Sequence, residues 1–110
     1  MAAEVVLTEE ARKGIEGVKN VVITARMYRL VERLKDWPNV SGVKPLTGSL
    51  AGKYRLRTGD YRLQFHVETK RVKVEGRKFV KGKPVQVVEE VQRHRVVIEK
   101  VGHRDGFYDE

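Results

Sequence analysis

The strongest constraint on the fold is the run Lys53-Tyr54-Arg55-Leu56-Arg57-Thr58-Gly59-Asp60-Tyr61-Arg62-Leu63-Gln64-Phe65-His66-Val67, which alternates polar and apolar residues on both sides of Gly59-Asp60. A period of two marks a strand with one buried face. Glycine at the first central position suits a two-residue type II′ turn. The hairpin so defined pairs Thr58 with Tyr61, Leu56 with Leu63 and Tyr54 with Phe65 on one face. On the other, Arg57 meets Arg62, Arg55 meets Gln64 and Lys53 meets His66. One face belongs to a core. The other is cationic. Like charges directly opposite one another across strands cost about 0.2–1 kcal/mol, so Arg57 against Arg62 is a poor choice for folding alone. An anion lying on that face would relieve it.

The charge distribution carries the same message. The chain has 110 residues and a formal net charge of +8. Residues 44–83 hold twelve Lys and Arg against Asp60, Glu68 and Glu75, whereas residues 1–36 hold seven against six acids and residues 84–110 four against six. The middle of the chain therefore supplies essentially all of the excess, and a concentrated positive field attracts polyanions. A solvated, lysine-rich surface is the competing reading. The opposed arginines favour a polyanion site.

Length sets one compact domain over residues 1–110 as the expectation. With no cysteine in the sequence, disulfides, thiol nucleophiles and cysteine-ligated zinc are excluded. No apolar run approaches the roughly 18 residues of a membrane span, and Met1-Ala2-Ala3-Glu4 does not read as a signal peptide. A cytoplasmic protein with no membrane partner is expected.

Upstream, Glu4 to Leu7 reads as a short strand, and Thr8 as the cap of a helix with Glu9 and Glu10 in its first turn. Ala11, Ile15 and Val18 form its apolar stripe, weakened by Gly14 and Gly17. Asn20 caps a second helix or lies within one continuous helix. Ile23, Met27, Leu30, Val31 and Leu34 recur at amphipathic spacing, with Arg26, Arg29, Glu32 and Arg33 on the wet side, and Trp37-Pro38-Asn39 ends the run. Residues 40–51 read as an irregular linker. Residues 69–94 read as a hairpin arm or insertion turning at Lys81-Gly82-Lys83-Pro84, and the run Val96-Val97-Ile98 within a strand from Arg95 to Val101 suits an interior place in the sheet.

Residues 52–63 (GKYRLRTGDYRL) and the closing 101–108 (VGHRDGFY), after a strand and a helical hairpin, resemble the RelE/ParE superfamily of bacterial toxin–antitoxin systems. The resemblance covers residues 4–68 and 95–108 and is nearest the RelE and HigB branch, whose members enter the ribosomal A site and cut mRNA. It implies an α+β fold: an N-terminal strand and helical hairpin packed on a twisted, mainly antiparallel sheet, with a β-rich insertion before the last strand. It also implies a cognate antitoxin and the ribosome, with its mRNA and ribosomal RNA, as partners. The family's functional positions fall on Arg55, Arg57, Arg62, Arg104 and Tyr108. RelE carries lysines where this chain has Arg55 and Arg57, and the family's link to the last strand is usually shorter than residues 69–94.

Such chemistry is within reach of these residues. RNA carries its own nucleophile, the ribose 2′-OH, so a ribonuclease orients it, takes its proton, steadies the phosphorane and protonates the leaving oxygen. The planar guanidinium fork suits the phosphorane; Arg55, Arg57 and Arg62 are candidates for that role, with Arg104 closing the far side. Arginine is a poor base, so His103 or Tyr108 is the expected proton-transfer group, ahead of His66. Lys44, Lys53, His66, Lys73, Arg77 and Lys78 extend the surface that would meet RNA. No metal or cofactor is expected, because His66, His94 and His103 fall on different elements. Two other readings remain open: a ParE-like DNA gyrase poison, and a basic RNA-binding module without catalysis.

Overall fold

The computed structural model describes residues 2–105. Its elements are β1 (Glu4–Leu7), α1 (Glu9–Glu16), α2 (Val21–Arg33), β2 (Lys44–Pro45), β3 (Tyr54–Thr58), β4 (Tyr61–Val80) and β5 (Lys83–His103). They form an α+β fold in which two helices pack on one face of a five-stranded sheet of order β1-β5-β4-β3-β2. All neighbours are antiparallel except β1 and β5, which run parallel. Among the described residues no helix is long and apolar enough to cross a membrane.

Local chemistry explains the helices. Thr8 Oγ1 accepts from Ala11 N at 3.1 Å, and Asn20 Oδ1 accepts from Ile23 N at 3.1 Å. Each satisfies one of the unpaired donors of a helix start. The Asn20 cap resolves the open question of one helix or two in favour of two. Met27, Leu30, Val31 and Leu34 are buried, as the amphipathic spacing requires, and they meet Leu56, Leu63, Phe65, Val96, Ile98 and Val101 from the sheet. Trp37 closes the core edge-on against Tyr54 and Phe65, at 5.0 and 5.6 Å between ring centroids.

The β3–β4 register is the one read from the alternation: Tyr54 opposes Phe65, Arg55 opposes Gln64, Leu56 opposes Leu63, Arg57 opposes Arg62 and Thr58 opposes Tyr61. Gly59 adopts φ +58°, the conformation a type II′ turn demands of its first central residue. Two features differ from the sequence reading, and the hairpin arm expected over residues 69–94 is present. The linker contains β2, whose two residues pair with Tyr54 and Arg55. The strand expected over Arg95 to Val101 is the inner part of β5, which is 21 residues long. Residues 69–94 are the outer part of the β4–β5 hairpin, a two-stranded ribbon projecting from the body. The chain is accordingly extended, with a radius of gyration of 18.2 Å against about 13 Å for a compact domain of this length.

A β-bulge interrupts β5. Gln64 pairs with Lys100 but Phe65 pairs with Ile98, so Glu99 is the extra residue. The bulge shifts the phase: Val96 and Ile98 are buried, then Val101. Thr8 secures it, its hydroxyl donating to Glu99 O at 3.0 Å and its N–H to Ile98 O at 3.0 Å.

Gly14, which weakens α1 as a helix former, is required by packing. A Cβ there would lie 2.1 Å from Val101 O, a backbone atom that cannot turn aside. Gly14→Ala is expected to destabilise the fold by about 1–3 kcal/mol, despite alanine's helix propensity advantage of about 1 kcal/mol. The midpoint of urea unfolding measures it; a rise would mean that α1 does not lie so close to β5.

Candidate functional site

Alternation along β3 and β4 sends Leu56, Leu63 and Phe65 to the helices and Arg55, Arg57, Arg62, Gln64 and His66 to the opposite face. Pairing then assembles rows across the sheet. One row runs Lys44, Arg55, Gln64, Lys100 over β2, β3, β4 and β5, spanning about 14 Å at the usual strand spacing. The next runs Arg57, Arg62, Gly102. Glycine beside Arg62 leaves that end of the row without a covering side chain.

No acid among the described residues neutralises the arginines of this face. Among the described residues no carboxylate lies within 4.0 Å of Arg55, Arg57 or Arg62, whereas Lys53, His66, Arg95 and Arg104 all have acidic partners within that distance. Arg57 is exposed; Arg55 and Arg62 are half-buried. Arg62 Nη1 is shut off from solvent without a hydrogen-bond partner among the described residues. An unsatisfied buried donor costs about 1–3 kcal/mol, and more when charged. Together with the cross-strand repulsion, this makes the face poor for stability and well prepared for an anion.

A groove of about 400 Å³ borders two of these arginines, lined by Arg33, Ser41, Lys44, Arg55 and Arg57 among others. Arg33 is an addition to the candidate set, since the helical spacing marks it only as a solvent-facing residue of α2. Its Nη2 donates to Ser41 O at 2.7 Å and Ser41 Oγ at 3.0 Å, bracing the loop that delivers Lys44. A larger cleft of about 790 Å³ lies elsewhere, between residues 35–39 and the root of the ribbon at Val91, Gln92 and His94. It contains no convergence of cations, so the smaller groove is the better candidate.

Lys53 and His66 meet at one acid. Lys53 Nζ is 3.2 Å and His66 Nδ1 3.4 Å from Glu99 Oε2, and His66 Nε2 is 3.7 Å from Glu68 Oε2. Glu99 is a residue that sequence reasoning misses. Its signal is the break in phase: Lys100 would face the core with Val96 and Ile98 unless the strand slipped by one residue before Val101. The slip brings Glu99 to the cationic face, where its Oε1 is buried without a partner among the described residues.

Other expected site residues lie apart. His103 opposes Tyr61 and packs edge-on against it at 5.2 Å, on the helix side of the sheet, away from Arg57 and Arg62. Its Nδ1 accepts from Asp105 N at 3.1 Å. Arg104 is at the Gly59-Asp60 turn; its Nε is 3.7 Å from both Asp60 Oδ1 and Asp105 Oδ1, and its N–H donates to Asp60 O. Lys73, Arg77 and Lys78 are on the projecting ribbon, distant from the arginine rows. Tyr108 lies outside the described residues. Among those residues no group of three or more His, Cys, Asp or Glu is arranged to hold a metal ion.

The fold is shared with toxins. The chain is similar to the toxin–antitoxin complex RelBE2 from Mycobacterium tuberculosis, with a TM-score of 0.62 and 24% identity over 94% of this chain and 100% of that one. It is also similar to the YoeB/ParE toxin from Agrobacterium tumefaciens, with a TM-score of 0.60 and 16% identity over 91% of this chain and 97% of that one. No family model matches the sequence, and no curated protein does.

Proposed function

We propose that the chain is the toxin of a toxin–antitoxin pair and acts in the cytoplasm as a ribosome-dependent, metal-independent mRNA endonuclease. The observation that carries this reading is the arginine face: Arg55, Arg57 and Arg62, adjacent by register and without a carboxylate within 4.0 Å among the described residues. The shared fold supports a toxin, and a neighbour solved as a toxin–antitoxin complex supports an antitoxin partner.

The reaction is a transfer within the RNA. The 2′-oxygen attacks the adjacent phosphorus, the bond to the 5′-oxygen breaks, and a 2′,3′-cyclic phosphate and a 5′-hydroxyl remain. Arg57 and Arg62 hold the non-bridging oxygens as charge gathers on them, each guanidinium offering two charge-assisted hydrogen bonds. Arg55 and Lys44 hold the neighbouring phosphate; two-residue steps along a strand are about 6.6–6.8 Å apart, comparable with successive phosphates of an extended strand. The 2′-OH proton needs an acceptor, and guanidinium does not serve. His66 and Glu99 meet on this face but lie about 13 Å along β4 from Arg62, so they do not take the place of His103 at the 2′-OH. The 2′-OH proton passes to water, and water returns one to the leaving 5′-oxygen. Arg104, held by Asp60 and Asp105, has a lesser part.

Induced expression followed by mapping of mRNA 5′ ends tests the reading. Growth arrest with new ends at preferred codons is the expected result. Arrest with intact mRNA and double-strand DNA breaks would transfer the protein to the gyrase poisons. Binding of RNA without scission or arrest would leave only an RNA-binding module.

A further inference from the structure

Among the described residues, the outer edge of β5 is paired only at its base. β1 meets it from Arg95 to Ile98, and no strand adjoins that edge over residues 83–94. Lys81 and Gly82 both take positive φ, +51° and +77°, the pattern of a two-residue type I′ turn, which makes Val80 and Lys83 a hydrogen-bonded pair. Such pairs alternate with non-hydrogen-bonded ones. Lys83, Val85, Val87 and Glu89 therefore direct their backbone groups to β4, while Gln86, Val88 and Glu90 direct theirs outward. Ile98 keeps the same phase, its carbonyl accepting from Thr8 N on the β1 side.

Natural sheet edges are blunted by charge, and β4 follows that rule with Lys70, Arg71, Lys73, Arg77 and Lys78. β5 does not. From residue 85 to 88 it reads Val-Gln-Val-Val, with Val85 42% and Val88 59% exposed. Glu89 and Glu90 follow, and among the described residues no cation lies within 4.0 Å of either. This edge is complementary to itself. Laid antiparallel across a two-fold axis at Gln86, it sets Lys83 opposite Glu89 and Val85 opposite Val87 on one face, each twice over by symmetry. On the other face Pro84 lies opposite Val88. Gln86 exchanges both backbone bonds with its copy, and Pro84, which has no N–H, accepts one from Val88. The neighbouring register in one direction sets Lys83 against Val91, and in the other against Val87. Of the three, only the register centred on Gln86 gives Lys83 an acid. An acidic peptide strand would instead meet Glu89 and Glu90.

We propose that two copies of this chain associate by pairing their β5 strands edge to edge, with Gln86 on the two-fold axis, into one ribbon of order β4-β5-β5-β4. Pairing stops at two copies because the remaining β4 edges are cationic. Phe79, 76% exposed and opposite Pro84 in its own chain, lies in the row that Val88 of the second copy extends. Pairing over so short a stretch belongs with small, transient interfaces, so it is read as a dependence on concentration. The association goes beyond the endonuclease reading and does not rest on it.

The experiment is sedimentation equilibrium of the full chain, carrying Arg62→Ala so that it can be produced without growth arrest, from low to high micromolar concentration. The apparent mass should rise from 12.7 kDa toward twice that value. Lys83→Glu sets like charges opposite one another at both ends of the pairing and should weaken association by about tenfold or more; Glu89→Lys should do the same. Mixed in equal amounts, the two variants should associate again, because every Glu then meets a Lys, and a chain carrying both changes should self-associate like its parent. Gln86→Cys, in a chain without cysteine, should give a disulfide-linked dimer under mild oxidation, since opposed hydrogen-bonded residues lie about 5.5 Å apart between Cα atoms. Lys73→Cys on β4 should not. A mass that stays at the monomer value throughout would overturn the proposal. So would association that survives both charge reversals, or a mixture that fails to associate while circular dichroism shows both variants folded. Protection of β5 amides from hydrogen exchange only after an antitoxin is added, with the chain alone monomeric, would assign the edge to that partner and overturn it too. Intact mRNA in the presence of the native chain would refute the endonuclease reading and leave these results standing.

Discussion

Replacing Arg62 by alanine is expected to lower mRNA cleavage by about 10²–10³-fold and to abolish growth arrest, with the fold intact. Removing one preorganised donor from a site of developing negative charge costs about 2.7–4 kcal/mol of barrier. Arg62 fits that description better than its neighbours. It is half-buried, its Nη1 lacks both solvent and a partner among the described residues, and it lies directly across from Arg57. Loss of the side chain removes a cross-strand repulsion of about 0.2–1 kcal/mol, so the unfolding midpoint should hold or rise slightly. Activity and stability thus move in different directions, which a residue with a purely structural role would not produce. Arg62→Lys retains the charge but loses the planar fork and should recover only part of the rate. Cleavage of reporter mRNA, read beside urea unfolding of each variant, separates these cases.

The second large effect concerns the support of that face. Phe65 is fully buried, stacks on Tyr54 at 5.5 Å and meets Trp37 edge-on. Phe65→Ala should destabilise the protein by about 3–5 kcal/mol, the usual range for a large core aromatic. That is a large fraction of the roughly 5–15 kcal/mol holding a domain together. The consequence reaches the site because Phe65 lies between Gln64 and His66 in β4 and anchors the strand on which Arg62 is displayed. Phe79→Ala, at the exposed ribbon tip, should stay within about 0.5 kcal/mol. Comparable losses at the two positions would mean that the tip packs against the body.

The cationic face is legible in the sequence because its information is local. Alternation on both sides of Gly59-Asp60 leaves one register that keeps Leu56, Leu63 and Phe65 together, and that register alone places Arg57 opposite Arg62. Features that escape a reading of the sequence depend on distant parts of the chain. Gly14 weakens an isolated helix, and its reason is the carbonyl of Val101 on another element. β2 consists of two residues and exists only through pairing with β3. The ribbon has little contrast because both of its faces meet water, so burial does not impose strict alternation there. Imidazole chemistry nominates His103 for proton transfer but carries no information about the face of the sheet on which it falls. Counting by twos from Val101, which is buried, puts it on the helix side beside Tyr61. Glu99 is hidden by the bulge, which is visible in the sequence only as a slipped phase between Ile98 and Val101.

On the proposed reading this cationic sheet face holds an mRNA phosphate in the ribosome while the strand is cut. Purified protein added to ribosomes stalled on a defined message, with the resulting 5′ ends mapped, puts that to the test. Scission within the A-site codon, little or none on the same message free of ribosomes, and loss of the cut with Arg62→Ala are the expected results. A message that stays whole, or one cut equally well by the Arg62→Ala protein, would contradict it.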